Sequence, residues 1–217
     1  MSTAPTSWHL PATRLACHSV LTALLILGST VCGAAPSTLD EFDGPELVKE
    51  WQRVSVEGEV KSDLAARPGW LTVTAASGQL LELRQTETAA NLDLLTRIDP
   101  AGLPPADVIG LSLRADKEHI ALLRSQDETP LLTLSLIGPS PDTTQRRQVQ
   151  VPPGPLHLCL RRRAGTVKGY WSTDGDKWET VGELTISTSR SYWPSLHAEA
   201  RGAGLTAQFD YYWLVLP

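Results

Sequence analysis

Hydrophobic and polar positions alternate in short runs along most of the chain. In Trp70–Thr74, Leu71 and Val73 share one face. In Val108–Arg114, Ile109, Leu111 and Leu113 oppose Gly110, Ser112 and Arg114. His119–Leu123 follows. In Leu131–Ile137, Leu132, Leu134 and Leu136 alternate with Leu131, Thr133 and Ser135. In Leu156–Arg163, Leu156, Leu158 and Leu160 oppose His157, Cys159 and Arg161. A period of two predicts half-buried strands in antiparallel sheets. Proline and glycine clusters punctuate them at Arg67-Pro68-Gly69, Leu103-Pro104-Pro105, Gly138-Pro139-Ser140-Pro141 and Pro152-Pro153-Gly154-Pro155. Such clusters make turns and forbid continued helix. Only residues 84–95 offer room for a short helix. Many strands at regular spacing predict an all-β domain, a sandwich or jelly roll.

The clearest local signal is Gly169-Tyr170-Trp171-Ser172-Thr173-Asp174-Gly175-Asp176-Lys177-Trp178. Asp174-Gly175 between two aromatic-bearing runs predicts a tight hairpin, because glycine readily takes a positive φ. Trp178 then returns to pack near Tyr170 or Trp171. A sugar-stacking platform is the functional alternative for these rings.

Residues 1–34 read as a leader. Arg14 is their one charged side chain, an apolar run spans Val20–Leu27, and small residues lead to Ala34. This is the pattern of a secretory signal peptide. The run is shorter than the roughly 20 apolar residues needed to span a bilayer. Cleavage after Ala34 makes residues 35–217 the mature domain, secreted or periplasmic, with no transmembrane span. A lipoprotein reading at Cys32 is weakened by Val31 before it. Cys17 and Cys32 leave with the leader, so Cys159 has no partner for an internal disulfide. The core alone must stabilise the fold, and a domain this long can bury about 70% of its unfolded surface.

The chain of 217 residues is 41% hydrophobic, which excludes intrinsic disorder, and carries a formal net charge of −5, which argues against a nucleic-acid binder.

Three stretches together resemble a known family. Leu39-Asp40-Glu41-Phe42-Asp43-Gly44-Pro45-Glu46-Leu47 with Trp51, then Tyr170–Trp178, then Ala207-Gln208-Phe209-Asp210-Tyr211-Tyr212 are similar to the concanavalin A-like domain at the C-terminus of family 43 β-xylosidases. Thr96–Pro100, Val108–Leu111 and Arg114–Ile120 fit the same pattern. The resemblance runs over residues 39–214. It implies a concanavalin A-like jelly-roll sandwich of two curved antiparallel sheets, with the first and last strands side by side. It also implies an accessory role, since catalysis in that family belongs to a separate propeller. No propeller precedes this domain, so it is expected to be exported by itself, as a monomer.

The resemblance further implies a structural calcium between the terminal strands. Asp210 would meet Asp40, Glu41 or Asp43 there. Ca²⁺ accepts carboxylates and backbone carbonyls. The alternative is that Asp40 and Asp43 cap a turn and Asp210 bonds to backbone N–H groups. Trp51 and Trp213 read as structural.

By strand parity, Ser112, Arg114, His119, Ser135, His157, Arg161 and Arg163 are candidates for one polar groove, with Cys159 on the same face. Arginine there would favour acidic sugars or phosphate. An ordinary solvated sheet face is the alternative. Trp70 and Trp193, both near loops, are expected to be exposed sugar contacts, or else lids on the core. The carbohydrate-binding candidates are therefore Trp70, Trp193, Arg114, His119, His157 and Arg161.

Catalytic signatures are sparse. Glu57 and Glu59 are the nearest same-face acids, and no third acid completes a cluster. Leu81-Glu82-Leu83-Arg84 is faintly similar to alginate-lyase strands, without the partner motifs. His119, His157 and His197 lack zinc spacing. No nucleophile elbow, phosphate loop or His-Glu-x-x-His motif appears. The expected function is a non-catalytic module that binds a glycan or supports a carbohydrate-active enzyme. A hydrolase or lyase on the same sandwich, marked by convergent titratable groups, is one rival. An envelope protein–protein module, marked by an exposed apolar patch, is the other.

Overall fold

The computed structural model describes residues 37–56, 60–86, 88–116, 118–186 and 190–217. The leader, and the pair Glu57 and Glu59, lie outside them.

Among the described residues, fifteen strands form two antiparallel sheets. In chain order they are β1 (Ser37–Asp40), β2 (Gln52–Val56), β3 (Lys61–Asp63), β4 (Leu71–Ala76), β5 (Leu80–Arg84), β6 (Leu92–Asp99), β7 (Val108–Ala115), β8 (Glu118–Ser125), β9 (Leu131–Ile137), β10 (Gln145–Gln150), β11 (Leu156–Arg163), β12 (Thr166–Ser172), β13 (Glu179–Thr185), β14 (Trp193–Glu199) and β15 (Gly204–Val215). One sheet has the order β13-β12-β11-β6-β15-β4-β3, with β1 also on β15, and the other has the order β10-β9-β8-β7-β14-β5-β2. Among the described residues the single helical element is a 3₁₀ turn at Pro141–Thr143. The stretch with room for a helix instead ends β5 and enters β6.

The alternation read from the sequence places the core. Leu111, Leu113, Leu122, Leu134 and Leu136 of one sheet meet Leu92, Leu94, Leu158, Leu160 and Leu214 of the other, all essentially buried. Two arginines also point inward. The Arg124 guanidinium donates to the Ser125 and Pro152 carbonyls and to the Gln126 side chain. Arg162 donates to the carbonyls of Ala89 and Arg190 and lies 4.6 Å from the Tyr192 ring centroid. Both buried guanidinium groups thus find carbonyl partners, as buried polar groups must.

The terminal strands are adjacent. Ser37–Asp40 pairs with Tyr212–Val215 in antiparallel register. The Asp40 carboxylate accepts hydrogen bonds from the Trp51 indole N–H at 2.7 Å and the Phe42 amide at 2.9 Å. Trp51 then meets Tyr212 edge-on, with centroids 4.7 Å apart. The opening aromatic motif is thus a lock between the two ends of the chain, as the structural reading of Trp51 requires.

The hairpin forms around Asp174-Gly175, with Gly175 at φ 81°, but the connection between β12 and β13 takes the six residues 173–178 and is wider than the tight turn expected. Asp174 accepts from the amides of Asp176 and Lys177, and the Trp178 indole N–H donates to the Gly175 carbonyl. Trp171 enters the core, whereas Trp178 packs beside Tyr170 on the outer face.

Gly110 is the tightest point of the central strand β7. A Cβ there would stand 2.1 Å from the Leu122 carbonyl oxygen of β8. That oxygen belongs to a hydrogen-bonded ladder and cannot move alone. Gly110→Ala is expected to destabilise the domain by about 2–3 kcal/mol through overpacking. Urea denaturation should show a lower midpoint with an unchanged slope.

Candidate functional site

Strand register arranges the outer face of the seven-stranded sheet in rows. Trp193, Arg114, His119 and Ile137 form one row across β14, β7, β8 and β9. Arg84, Ser195, Ser112, Ala121, Ser135 and Arg146 form the next. Glu82, His197, Gly110, Leu123, Thr133 and Gln148 form a third. A groove of about 480 Å³ opens over the β8–β10 side of these rows. Its floor carries Val108, Leu123 and Leu131, and its polar lining includes Thr133, Ser135, Arg146 and Gln148. An apolar floor with a few convergent polar groups is the usual chemistry of a small-ligand cleft.

Beside the groove, four strands bring together a buried polar cluster. Glu82, on β5, is 1% exposed. Arg114 grips its carboxylate with two hydrogen bonds, Nε to Oε2 at 2.7 Å and Nη2 to Oε1 at 2.9 Å. The Ser112 hydroxyl donates to Oε1 at 3.3 Å. His119 Nε2 lies 3.3 Å and His197 Nδ1 3.6 Å from the same oxygen. The two imidazoles stack with centroids 5.4 Å apart. On its other side, His197 Nε2 lies 3.6 Å from Glu199 Oε2.

These contacts set the charges. Burial alone would raise the Glu82 pKa, but His119, His197 and Arg114 outweigh it and hold the carboxyl far below the usual range. Burial lowers the His119 pKa, against the pull of Glu82. His197 is also opposed by burial, yet Glu199 and Glu82 flank it and lift its pKa. Glu199 is held down to about 2, chiefly by His197, with Arg201 assisting.

The sequence candidates divide between two surfaces. Trp193, Arg114, His119, Ser112 and Ser135 share the face just described, and the Arg84 guanidinium stands 5.1 Å from the half-buried Trp193 ring. His157, Arg161, Arg163 and Cys159 do not join them. Strand β11 belongs to the other sheet, so these side chains lie on the opposite outer surface of the sandwich. Parity distinguishes inward from outward and is silent on which sheet a strand enters. There, Arg161 and Arg163 both bind Asp93, at 3.0 and 2.7 Å. Cys159 is buried among Leu95, Tyr170 and Tyr211, and burial pushes its thiol pKa well up. That suits packing and not reactivity. Trp70 is only 6% exposed, against the expectation of an exposed ring. The Arg67 guanidinium covers it at 3.8 Å, itself held by Asp99 at 2.8 Å.

The acids expected to hold calcium are not gathered. A bulge between Phe209 and Tyr212 sets two residues, Asp210 and Tyr211, opposite Arg97 alone. Asp210 therefore pairs with Arg97 at 3.2 Å. Asp40, which also accepts from Trp51, lines one shallow pocket with Glu41, Asp43, Val48 and Gln85, and Asp210 is not among the lining residues. Among the described residues, the one group of three or more acids, histidines or cysteines close enough to share an ion is Glu82, His119 and His197. Sequence reading noticed each of these three separately. Nothing in their spacing joins them, since they reach one another only through the β5-β14-β7-β8 order.

The sequence profile of the β-xylosidase C-terminal concanavalin A-like domain matches residues 39–193. No curated protein matches the chain. Among solved structures, a GH43 protein of a Bacteroides ovatus xyloglucan locus is similar at 16% identity and TM-score 0.64, covering 90% of this chain and 41% of that one. The GH43 protein BlXynB of Bacillus licheniformis is similar at 16% identity and TM-score 0.67, with coverage of 82% and 39%. This chain thus spans about two fifths of those proteins. A functionally unknown Saccharomyces cerevisiae protein, at 15% identity and TM-score 0.64, is covered over 97% of its length and 77% of this chain.

On the eight-stranded sheet, His157 carries a pH dependence. It is 8% exposed and 3.1 Å from the Tyr211 hydroxyl, with Trp178 edge-on at 6.5 Å. Burial first, then Arg97, lowers its pKa to about 4, against Asp210, Asp174 and Asp176. Between pH 6.5 and 4 the unfolded chain therefore binds a proton that the folded chain refuses. Stability is intact above pH 6.5 and falls as pH drops toward 4, by up to about 3 kcal/mol. His157→Gln should flatten that part of the acid slope, read from denaturant midpoints across the pH series.

Proposed function

The chain belongs to the family of β-xylosidase C-terminal concanavalin A-like domains, and from that premise we propose that it is an exported, non-catalytic glycan-binding module of polysaccharide metabolism. The groove on the seven-stranded sheet carries this reading. Its apolar floor suits the faces of sugar rings, and its hydroxyls and amides suit their edges. Arg146 on its lining favours sugars that bear a carboxylate, Arg201 being already paired with Glu199. Trp193, at the end of the adjoining row, supplies an aromatic edge to a longer chain. Export rests on the leader pattern in residues 1–34 and is checked by the N-terminal mass of protein recovered outside the cell.

A catalytic reading draws on the convergence of Glu82, His119 and His197. The Arg114 clamp speaks against it, because a carboxylate held ionised by two charge-assisted hydrogen bonds is a poor general acid. An envelope interaction module finds little support. Among the described residues the exposed large apolar side chains are Leu39, Val48 and Ile137, and Ile137 lies on the other sheet from Leu39.

An array of plant and bacterial polysaccharides, including uronate-bearing ones, tests the proposal. The folded protein should bind at least one glycan. Arg146→Ala combined with Gln148→Ala, both exposed on the edge strand β10, should weaken that binding tenfold or more, about 1.4 kcal/mol. The thermal midpoint should stay unchanged. Absence of binding to every polysaccharide, or turnover of one, overturns the reading.

A further inference from the structure

We propose that Glu82, His119 and His197 form a binding site for a divalent transition metal of the zinc class. The observation is geometric. Ligands about 2.0–2.1 Å from a tetrahedral zinc stand about 3.4 Å from one another. His119 Nε2 and His197 Nδ1 stand 3.3 and 3.6 Å from Glu82 Oε1. One ligand atom from each of the three side chains falls within 4.8 Å of the others. Three separate strands of one sheet supply them, so the site is set by the most rigid part of the fold.

A second observation concerns how those nitrogens are satisfied. Both ring nitrogens of His197 and Nε2 of His119 are buried and make no well-aligned hydrogen bond among the described residues, although carboxylate oxygens of Glu82 and Glu199 stand 3.3–3.6 Å away. Buried polar atoms are rarely left so, and an imidazole nitrogen is the commonest protein ligand for a transition metal. Two nitrogens and one carboxylate oxygen suit zinc, copper, nickel or iron(II), and not calcium, which takes six to eight oxygens. Three protein ligands leave a coordination position open to water or a ligand.

Arg114 shapes the affinity. Its two hydrogen bonds orient the Glu82 carboxylate, as outer-shell partners do in metal sites. Its positive charge also repels a cation, which makes the site weaker than a closed structural zinc centre. A carboxylate has about four lone-pair directions, so Oε1 can accept from Arg114 and still face the imidazoles. The Ser112 hydroxyl, at 3.3 Å, is the contact that yields.

Calorimetric titration of metal-stripped protein with zinc chloride tests this without reference to any glycan. One zinc per chain should bind, and zinc should raise the thermal midpoint while calcium leaves it unmoved. His119→Gln should weaken zinc binding at least tenfold with an unchanged circular dichroism spectrum. Cobalt(II) provides a readout free of mutation. Strong visible d–d bands that zinc abolishes support the site even where the variant fails to fold. Lack of saturable zinc binding, unchanged zinc affinity in folded His119→Gln, or cobalt spectra of a hexaaqua type each overturn it.

Discussion

Strand β15 hydrogen-bonds to three other strands, and the sandwich is built around that sharing. Its first half, Gly204–Phe209, pairs with β4, while Tyr212–Val215 pairs with β1, and β6 lies along its other side. The bulge at Asp210–Tyr211 marks the handover. It lets Phe209 and Tyr212 both face the core although they are three residues apart, and it turns Asp210 and Tyr211 together toward the outer surface. A bulge inserts one unpaired residue and re-aims its neighbours. Here it gives Asp210 an ion pair with Arg97 and Tyr211 a contact with His157.

The two outer surfaces use polar residues differently. On the eight-stranded sheet, arginines are neutralised in place: Arg161 and Arg163 by Asp93, Arg67 by Asp99, Arg97 by Asp210. Aromatic rings and Cys159 fill the space between them, so this surface behaves as a second packed layer. On the seven-stranded sheet the polar groups face a groove, and one carboxylate, Glu82, concentrates the contacts of an arginine, a serine and two histidines. Removing that carboxylate would leave Arg114 without its acid and the fully buried His197 with Glu199 alone, which is the costly direction for a buried pair. The cluster therefore has a structural role whatever else it binds.

Family membership and architecture agree with the composition of the interior. Leucines from alternate positions of both sheets fill it, and the two inward arginines close the places where loops cross its ends. Cys159, the one cysteine among the described residues, is free, so burial of apolar area carries the stability there.

The alternation of leucine with polar residues determined that the chain forms strands, and the Asp174-Gly175 turn and the terminal aromatic motifs determined where it reverses and how its ends meet. Those features are local, or depend on one residue type at one place, so they survive without knowledge of the fold. The assignment of each strand to a sheet was decided only by tertiary structure. Side-chain parity is the same whichever sheet a strand joins, so alternation alone groups His157 and Arg161 with Arg114 and His119 although the sandwich separates them. Burial of Trp70 depended likewise on a tertiary contact, because Arg67, three residues earlier in the same turn, is held over the ring by Asp99 of β6. Glu82, His119 and His197 are far apart in sequence, and only the hydrogen-bonded order of β5, β14, β7 and β8 makes them neighbours.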